Sequence, residues 1–158
     1  VTTKKIALIA IVLWVGSALV IGFYFVKGRT KQAPDGRTAI ILNENERNLV
    51  LEEMRSMLAS VQGIVRGLSD EKMVDVTQQA RASGTAMAAA VPIELMTKLP
   101  LEFKQLGLAT HQGFDEISVA ADQGETSEMV LTRLAEQLTR CVACHQVFRL
   151  EAQQSSSP

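Results

Sequence analysis

The sequence predicts an all-α protein, an antiparallel up-down-up-down four-helix bundle preceded by one transmembrane helix. Three observations carry this expectation. Residues 6–26 form an unbroken run of 21 uncharged, mostly apolar residues. Beyond residue 39, four stretches place apolar residues at steps of three and four, and none alternates as a strand would. The connections between them are short, which favours antiparallel neighbours.

The run IALIAIVLWVGSALVIGFYFV spans roughly 30 Å as a helix, the thickness of a bilayer's hydrocarbon core. Tyr24 lies near one end, where aromatic rings favour the headgroup level. A cleaved signal peptide has an apolar core of only about 7–15 residues. This run is longer, and no Ala-x-Ala-like site follows it. The expectation is therefore a retained anchor in contact with the lipid bilayer, packing with transmembrane helices of other subunits. Lys4 and Lys5 flank it on one side, and Lys27, Arg29, Lys31 and Arg37 on the other. By the positive-inside rule alone, that balance places the C-terminal side in the cytoplasm.

Residues 27–38, KGRTKQAPDGRT, are polar, carry a Pro-Asp-Gly turn signal and read as a short linker. Residues 1–38 hold a net charge of +5 and residues 39–158 a net charge of -6. A mildly acidic domain, residues 39–150, thus follows the anchor (1–26) and linker, and residues 151–158 read as a disordered tail. The total of -1 offers no basic face for nucleic acid. Four of the seven aromatics, Trp14, Phe23, Tyr24 and Phe25, belong to the anchor. Phe103, Phe114 and Phe148 alone remain for the domain's core.

The first amphipathic stretch runs from about Asn43 to Leu68, with Arg47, Leu51, Met54, Leu58, Val61, Val65 and Leu68 on one seam and Asn43 or Asn45 as cap. The second covers about Asp70–Ala90, with Met73, Val76, Ala80, Gly84 and Met87 inward. Pro92 and Pro100 bracket a loop at 91–100. The third runs from about Pro100 to Asp122, with Phe103, Leu106, Thr110, Phe114, Ile117 and Ala121 inward. The fourth starts near Thr126 or Ser127, with Leu131, Leu134, Leu138, Cys141, His145 and Phe148 on one seam.

The two cysteines of the chain fall in Cys141-Val-Ala-Cys144-His145, the Cys-x-x-Cys-His pattern of c-type haem attachment. Thiols one helical turn apart can each add to a vinyl group on the same side of a porphyrin. The adjacent His145 then reaches the iron as proximal ligand. Three readings compete. A redox dithiol wants a helix start in a strand–helix setting. Zinc could take Cys141, Cys144, His145 and His111, yet three ligands within five residues suit a tetrahedron poorly. Two unmodified cysteines would be unusual outside the cytoplasm. His111 itself reads as a surface or satisfied histidine, and Glu52-Glu53 and Asp115-Glu116 as solvated faces. No constellation for hydrolysis or group transfer appears, so no enzyme activity and no catalytic residue is expected.

A haem motif on the last of four helices resembles the cytochrome c′ family and its low-spin cytochrome c556 relatives. The resemblance covers about residues 43–150. It rests on the Arg47-containing first helix, on Leu99-Pro100-x-x-Phe103-Lys104 opening the third, and on CVACHQVFR at 141–149. It implies one covalently attached haem c, held by Cys141, Cys144 and His145, with Phe148 and Arg149 matching the family's aromatic-basic pair. Family members differ in what the first helix sets against the distal haem face. Counting back from Val65-Arg66-Gly67, that position falls on Leu51, which cannot ligate, and Met54 lies one turn later on the same seam. Met54 is favoured as sixth ligand over an open site. Arg47 and Arg149 are candidates to meet haem propionates.

The resemblance implies an electron carrier in the bacterial inner membrane with its haem domain in the periplasm, overriding the flanking charges. Its partners would be a respiratory or photosynthetic membrane complex and redox proteins. The alternatives are a five-coordinate module binding nitric oxide or carbon monoxide, and a structural subunit.

Overall fold

The computed structural model describes residues 2–153. Its elements are helix α1 (Thr2–Lys27), strands β1 (Thr30–Gln32) and β2 (Thr38–Leu42), helices α2 (Glu44–Ser69), α3 (Met73–Ala82), α4 (Thr85–Ala88), α5 (Ile93–Lys98), α6 (Leu101–Asp122) and α7 (Ser127–Val147), and strand β3 (Phe148–Ala152). The chain is mostly helical, as expected. Helix α1 is long and apolar enough to cross a membrane, with a mean hydropathy of 2.7.

The expectation of an all-helical chain needs correcting, because the residues flanking the helical region form a small sheet ordered β1-β2-β3. Strands β1 and β2 are antiparallel, with Thr30 opposite Ile40. Strands β2 and β3 are parallel, with Ile40 opposite Leu150. The segment read as a linker is therefore a hairpin. Gly36 N–H donates to the Ala33 carbonyl and Ala33 N–H to the Arg37 carbonyl. Gly36 has φ +83°, so Pro34-Asp35-Gly36 is a type I turn closed by a glycine bulge. Of the residues expected to be a tail, Glu151 and Ala152 lie in β3, and 154–158 lie outside the described residues.

Helix α2 begins as its sequence suggests. The Asn43 side chain accepts from Glu46 N–H, and the Glu46 carboxylate accepts from Asn43 N–H, a reciprocal cap. Helix α6 buries Phe103, Thr110, Phe114, Ile117 and Ala121, five of its six expected inward residues. The second expected helix is broken: α3 stops at Ala82, and α4 starts behind Gly84. The expected loop at 91–100 contains α5, because Pro92 and Pro100 sit at the N-caps of α5 and α6, where a missing N–H costs nothing.

Helix α2 packs on α3, α3 on α6, and α6 on α7, while α7 touches α2 only slightly. Two apolar clusters result. The larger joins Ile64, Val76, Ala80, Phe114, Ile117, Ala121, Val130 and Leu134. The other joins Ile40 and Leu42 of β2, Val50 of α2, Leu95, Leu99, Phe103 and Phe148. On α2 the buried residues are Val50, Ser60, Ile64 and Gly67. Leu58 and Val65, expected inward, are exposed, as are Leu131, Leu138 and His145 of α7. They belong to α2 and α7, which touch each other only slightly.

Candidate cofactor site

The second apolar cluster positions the site. Beside it opens a cleft of about 170 Å³, lined by Arg37, Arg47, Leu51, Met54, Phe103, Cys144, His145, Phe148, Arg149 and Leu150. Seven of the eight site residues expected from sequence thus share one cleft. The eighth, Cys141, lies one turn before Cys144 on α7, half-buried.

Each wall has its own source. Helix α2 contributes Arg47, Leu51 and Met54, which share a face at spacings of four and three. Met54 packs against the second cluster, whereas Met57 packs against the larger one. These two methionines of α2 thus join different cores. Helix α7 contributes Cys144 and His145 in its last turn. Phe148 is 6% exposed and meets the Phe103 ring edge-on, with centroids 5.5 Å apart and an interplanar angle of 88°. Phe148 and Arg149 were expected on the fourth helix. They begin β3 instead, because the chain turns extended at Phe148, with φ -115° and ψ 152°.

The rim is basic. Asp35 Oδ2 accepts from Arg37 Nε at 3.0 Å and Nη2 at 2.7 Å, and from Arg149 Nη1 at 2.9 Å. Hydrogen bonds from the Arg37 side chain and backbone hold the Asp35 carboxyl down at about 2. Arg37 and Asp35 were missed as site residues, since a flanking charge and a turn signal say nothing of what lies opposite. The hairpin that brings them there was itself unread.

The two thiols are free and half-buried. Burial pushes both upward, and Cys144 reaches about 11 with the further influence of Cys141 and Glu102. They lie at the C-terminal end of α7, where the helix dipole disfavours a thiolate. A reactive dithiol needs the opposite setting. The zinc reading loses its fourth ligand. His111 is buried on α6, with Nδ1 2.8 Å from the Ser83 carbonyl and Nε2 4.0 Å from Glu53 Oε1. Among the described residues, no three His, Cys, Asp or Glu side chains come close enough to share a metal ion.

Two carboxylates depart from the solvated faces expected of them. Glu53 points inward at His111, and burial raises its carboxyl. Asp115 accepts from the Thr85 N–H and hydroxyl at 2.9 and 2.7 Å, capping α4 from α6.

The cleft combines apolar, cationic and potentially metal-ligating side chains. Apolar side chains line its walls, guanidiniums edge it, and an imidazole and a thiol stand at one side. No family model, curated protein or solved structure matches the chain.

Proposed function

We propose that the chain is a membrane-anchored c-type cytochrome of the cytochrome c′ kind, carrying electrons through one covalent haem. The observation that supports this reading most is convergence. Cys144 and His145 of the Cys-x-x-Cys-His segment and the α2 residues Arg47, Leu51 and Met54, some ninety residues away in sequence, line one basic-rimmed cleft. In this reading α2, α3, α6 and α7 are the four helices of the antiparallel bundle.

Cys141 and Cys144 would hold the porphyrin, and His145 and Met54 would ligate its iron. When bound, haem supplies one-electron iron chemistry, and a thioether ligand raises its potential. Phe103 and Phe148 form the apolar wall of the cleft that His145 also lines. Arg47 would meet a propionate, because a carboxylate at an apolar wall needs a charged partner, whereas Arg149 is already paired with Asp35 and Glu151. Helix α1 is the anchor and residues 27–158 lie in the periplasm. A respiratory or photosynthetic membrane complex and soluble redox proteins are the partners.

The test is expression of the full chain together with a c-type haem attachment apparatus. Haem that stays with the polypeptide through denaturing electrophoresis, and is lost in Cys141→Ala/Cys144→Ala, supports the reading. A chain recovered without haem refutes it. A sharp low-spin α band, unmoved by carbon monoxide and lost in Met54→Ala, supports Met54 as ligand.

The second reading, a five-coordinate gas-binding module, draws on Leu51. It lines the same cleft as Met54 and would present an apolar distal wall. A broad high-spin spectrum that shifts with carbon monoxide would establish that reading in place of the first.

A further inference from the structure

The hairpin between the membrane helix and the bundle reaches the last turn of α7. Arg37 Nη1 donates to the His145 carbonyl at 3.3 Å. That carbonyl belongs to the final turn of α7, where the helix leaves acceptors without an intrahelical donor. A cation at this end also opposes the helix dipole. Arg37 is itself held. Asp35 accepts two bonds from its guanidinium and one from its N–H at 3.1 Å.

The same carboxylate binds Arg149, which follows His145 by four residues. Arg149 continues to Glu151 at 3.5 Å, and Glu151 to Lys31 at 2.5 Å. At its base the hairpin is fixed to the end of α1 and to the α5–α6 junction. Arg29 N–H donates to the Lys98 carbonyl at 2.7 Å, and Ile41 N–H to the Arg29 carbonyl at 2.8 Å.

A lone exposed ion pair contributes little. Here one carboxylate clamps two guanidiniums on either side of a single helix end, and the turn geometry presets the clamp. We propose that Asp35 and Arg37 are positioning residues that lock the last turn of α7, and with it His145, to the segment leaving the membrane helix. The meaning of the lock rests on the proposed role of His145; its existence does not. By this arrangement the imidazole keeps one orientation, set from the membrane side of the domain.

The experiment uses the full chain with its haem, purified in detergent, as parent, Arg37→Gln, Arg37→Lys and Asp35→Asn. Backbone amide exchange is followed at residues 145–149, with α6 amides as the control for folding. Exchange at 145–149 is expected to quicken at least tenfold in Arg37→Gln and Asp35→Asn, with α6 unchanged. Arg37→Lys keeps one donor but loses the fork, and is expected to recover part of the protection.

The electron paramagnetic resonance g-values of the oxidised haem, which report axial-ligand orientation, give a second readout. They are expected to move the same way in Arg37→Gln and Asp35→Asn. A purely electrostatic role would instead shift the midpoint potential oppositely in those two variants and leave the g-values in place, which would overturn the proposal. Exchange at 145–149 within twofold of the parent would overturn it as well, as would loss of protection throughout the chain. If the chain carries no haem, the proposed function fails, and amide exchange on the haem-free chain still decides whether the lock exists.

Discussion

Phe148 is the residue on which the fold of the second apolar cluster and the wall of the cleft both depend. Its replacement by alanine removes a ring that is 6% exposed and stacked edge-on against Phe103. Buried Phe→Ala changes cost about 3–5 kcal/mol, part of it for the cavity left behind. One side of this ring faces the open cleft, where neighbours can close in, so the lower figure of about 3 kcal/mol applies. The aromatic pair accounts for about 1 kcal/mol of that. For a domain of roughly 110 residues each kcal/mol moves Tm by about 4 °C, so Phe148→Ala is expected to lower it by about 12 °C. Phe148→Leu keeps most of the volume and is expected to cost less than about 1.5 kcal/mol. Urea titrations followed by circular dichroism measure both. A loss below about 1 kcal/mol in Phe148→Ala would show that the ring does not hold β3 to α6, and the account of the cleft wall would fall with it.

Other expectations follow from single contacts. In chain produced without haem, the Cys144 thiol pushed up to about 11 is uncharged at neutral pH. Its alkylation by iodoacetamide should therefore rise steeply only above about pH 10, where an ordinary thiol near 8.5 is already saturated; a rate that plateaus by pH 9 would contradict the burial. Gly28 has φ +62°, and a Cβ there would stand 2.5 Å from the Lys98 carbonyl oxygen, whereas at Gly36, φ +83°, a Cβ meets nothing within 4 Å. Gly36→Ala should cost only the left-handed penalty of about 1–2 kcal/mol and Gly28→Ala clearly more, as read by thermal unfolding. Asn43→Ala removes the cap of α2 and should cost about 1 kcal/mol; an unchanged denaturation midpoint would mean that the Glu46–Lys98 pair fixes that end alone.

What could be read in the sequence was local. Asn43 announced the start of α2 within one residue, and Phe103, Phe114 and Ile117 announced the buried face of α6, because caps and periodicity act over a few residues. Met54, His145 and Arg149 were named together because a motif and a resemblance tied them. The sheet stayed hidden for the opposite reason. Strands of three to five residues carry little alternation, and Thr38-Ala-Ile-Ile-Leu42 finds its partner in Phe148–Ala152, roughly 110 residues away. Asp35 and Arg37 were hidden with it. The break at Ser83-Gly84 was masked by alanines that suit a helix on either side, and its stability comes from Asp115, on another helix. Pro92 and Pro100 were read as brackets of a loop, although a proline serves equally well to open a helix.

The parallel pairing of β2 with β3 also sets an order of events. Strand β2 precedes every helix of the bundle and β3 follows all of them, so the sheet closes only after the intervening chain has been made and gathered. Contacts so far apart in sequence form late, because the intervening loop must first surrender its freedom. The Cys141–His145 segment lies immediately before the strand that closes. Until β3 docks, nothing from the hairpin covers that segment. Under the proposed function this leaves an interval in which an attachment apparatus can reach both thiols of a partly folded chain. Closure of the sheet then brings Arg37 to the His145 carbonyl, so the same pairing that completes the fold also completes the surroundings of the motif.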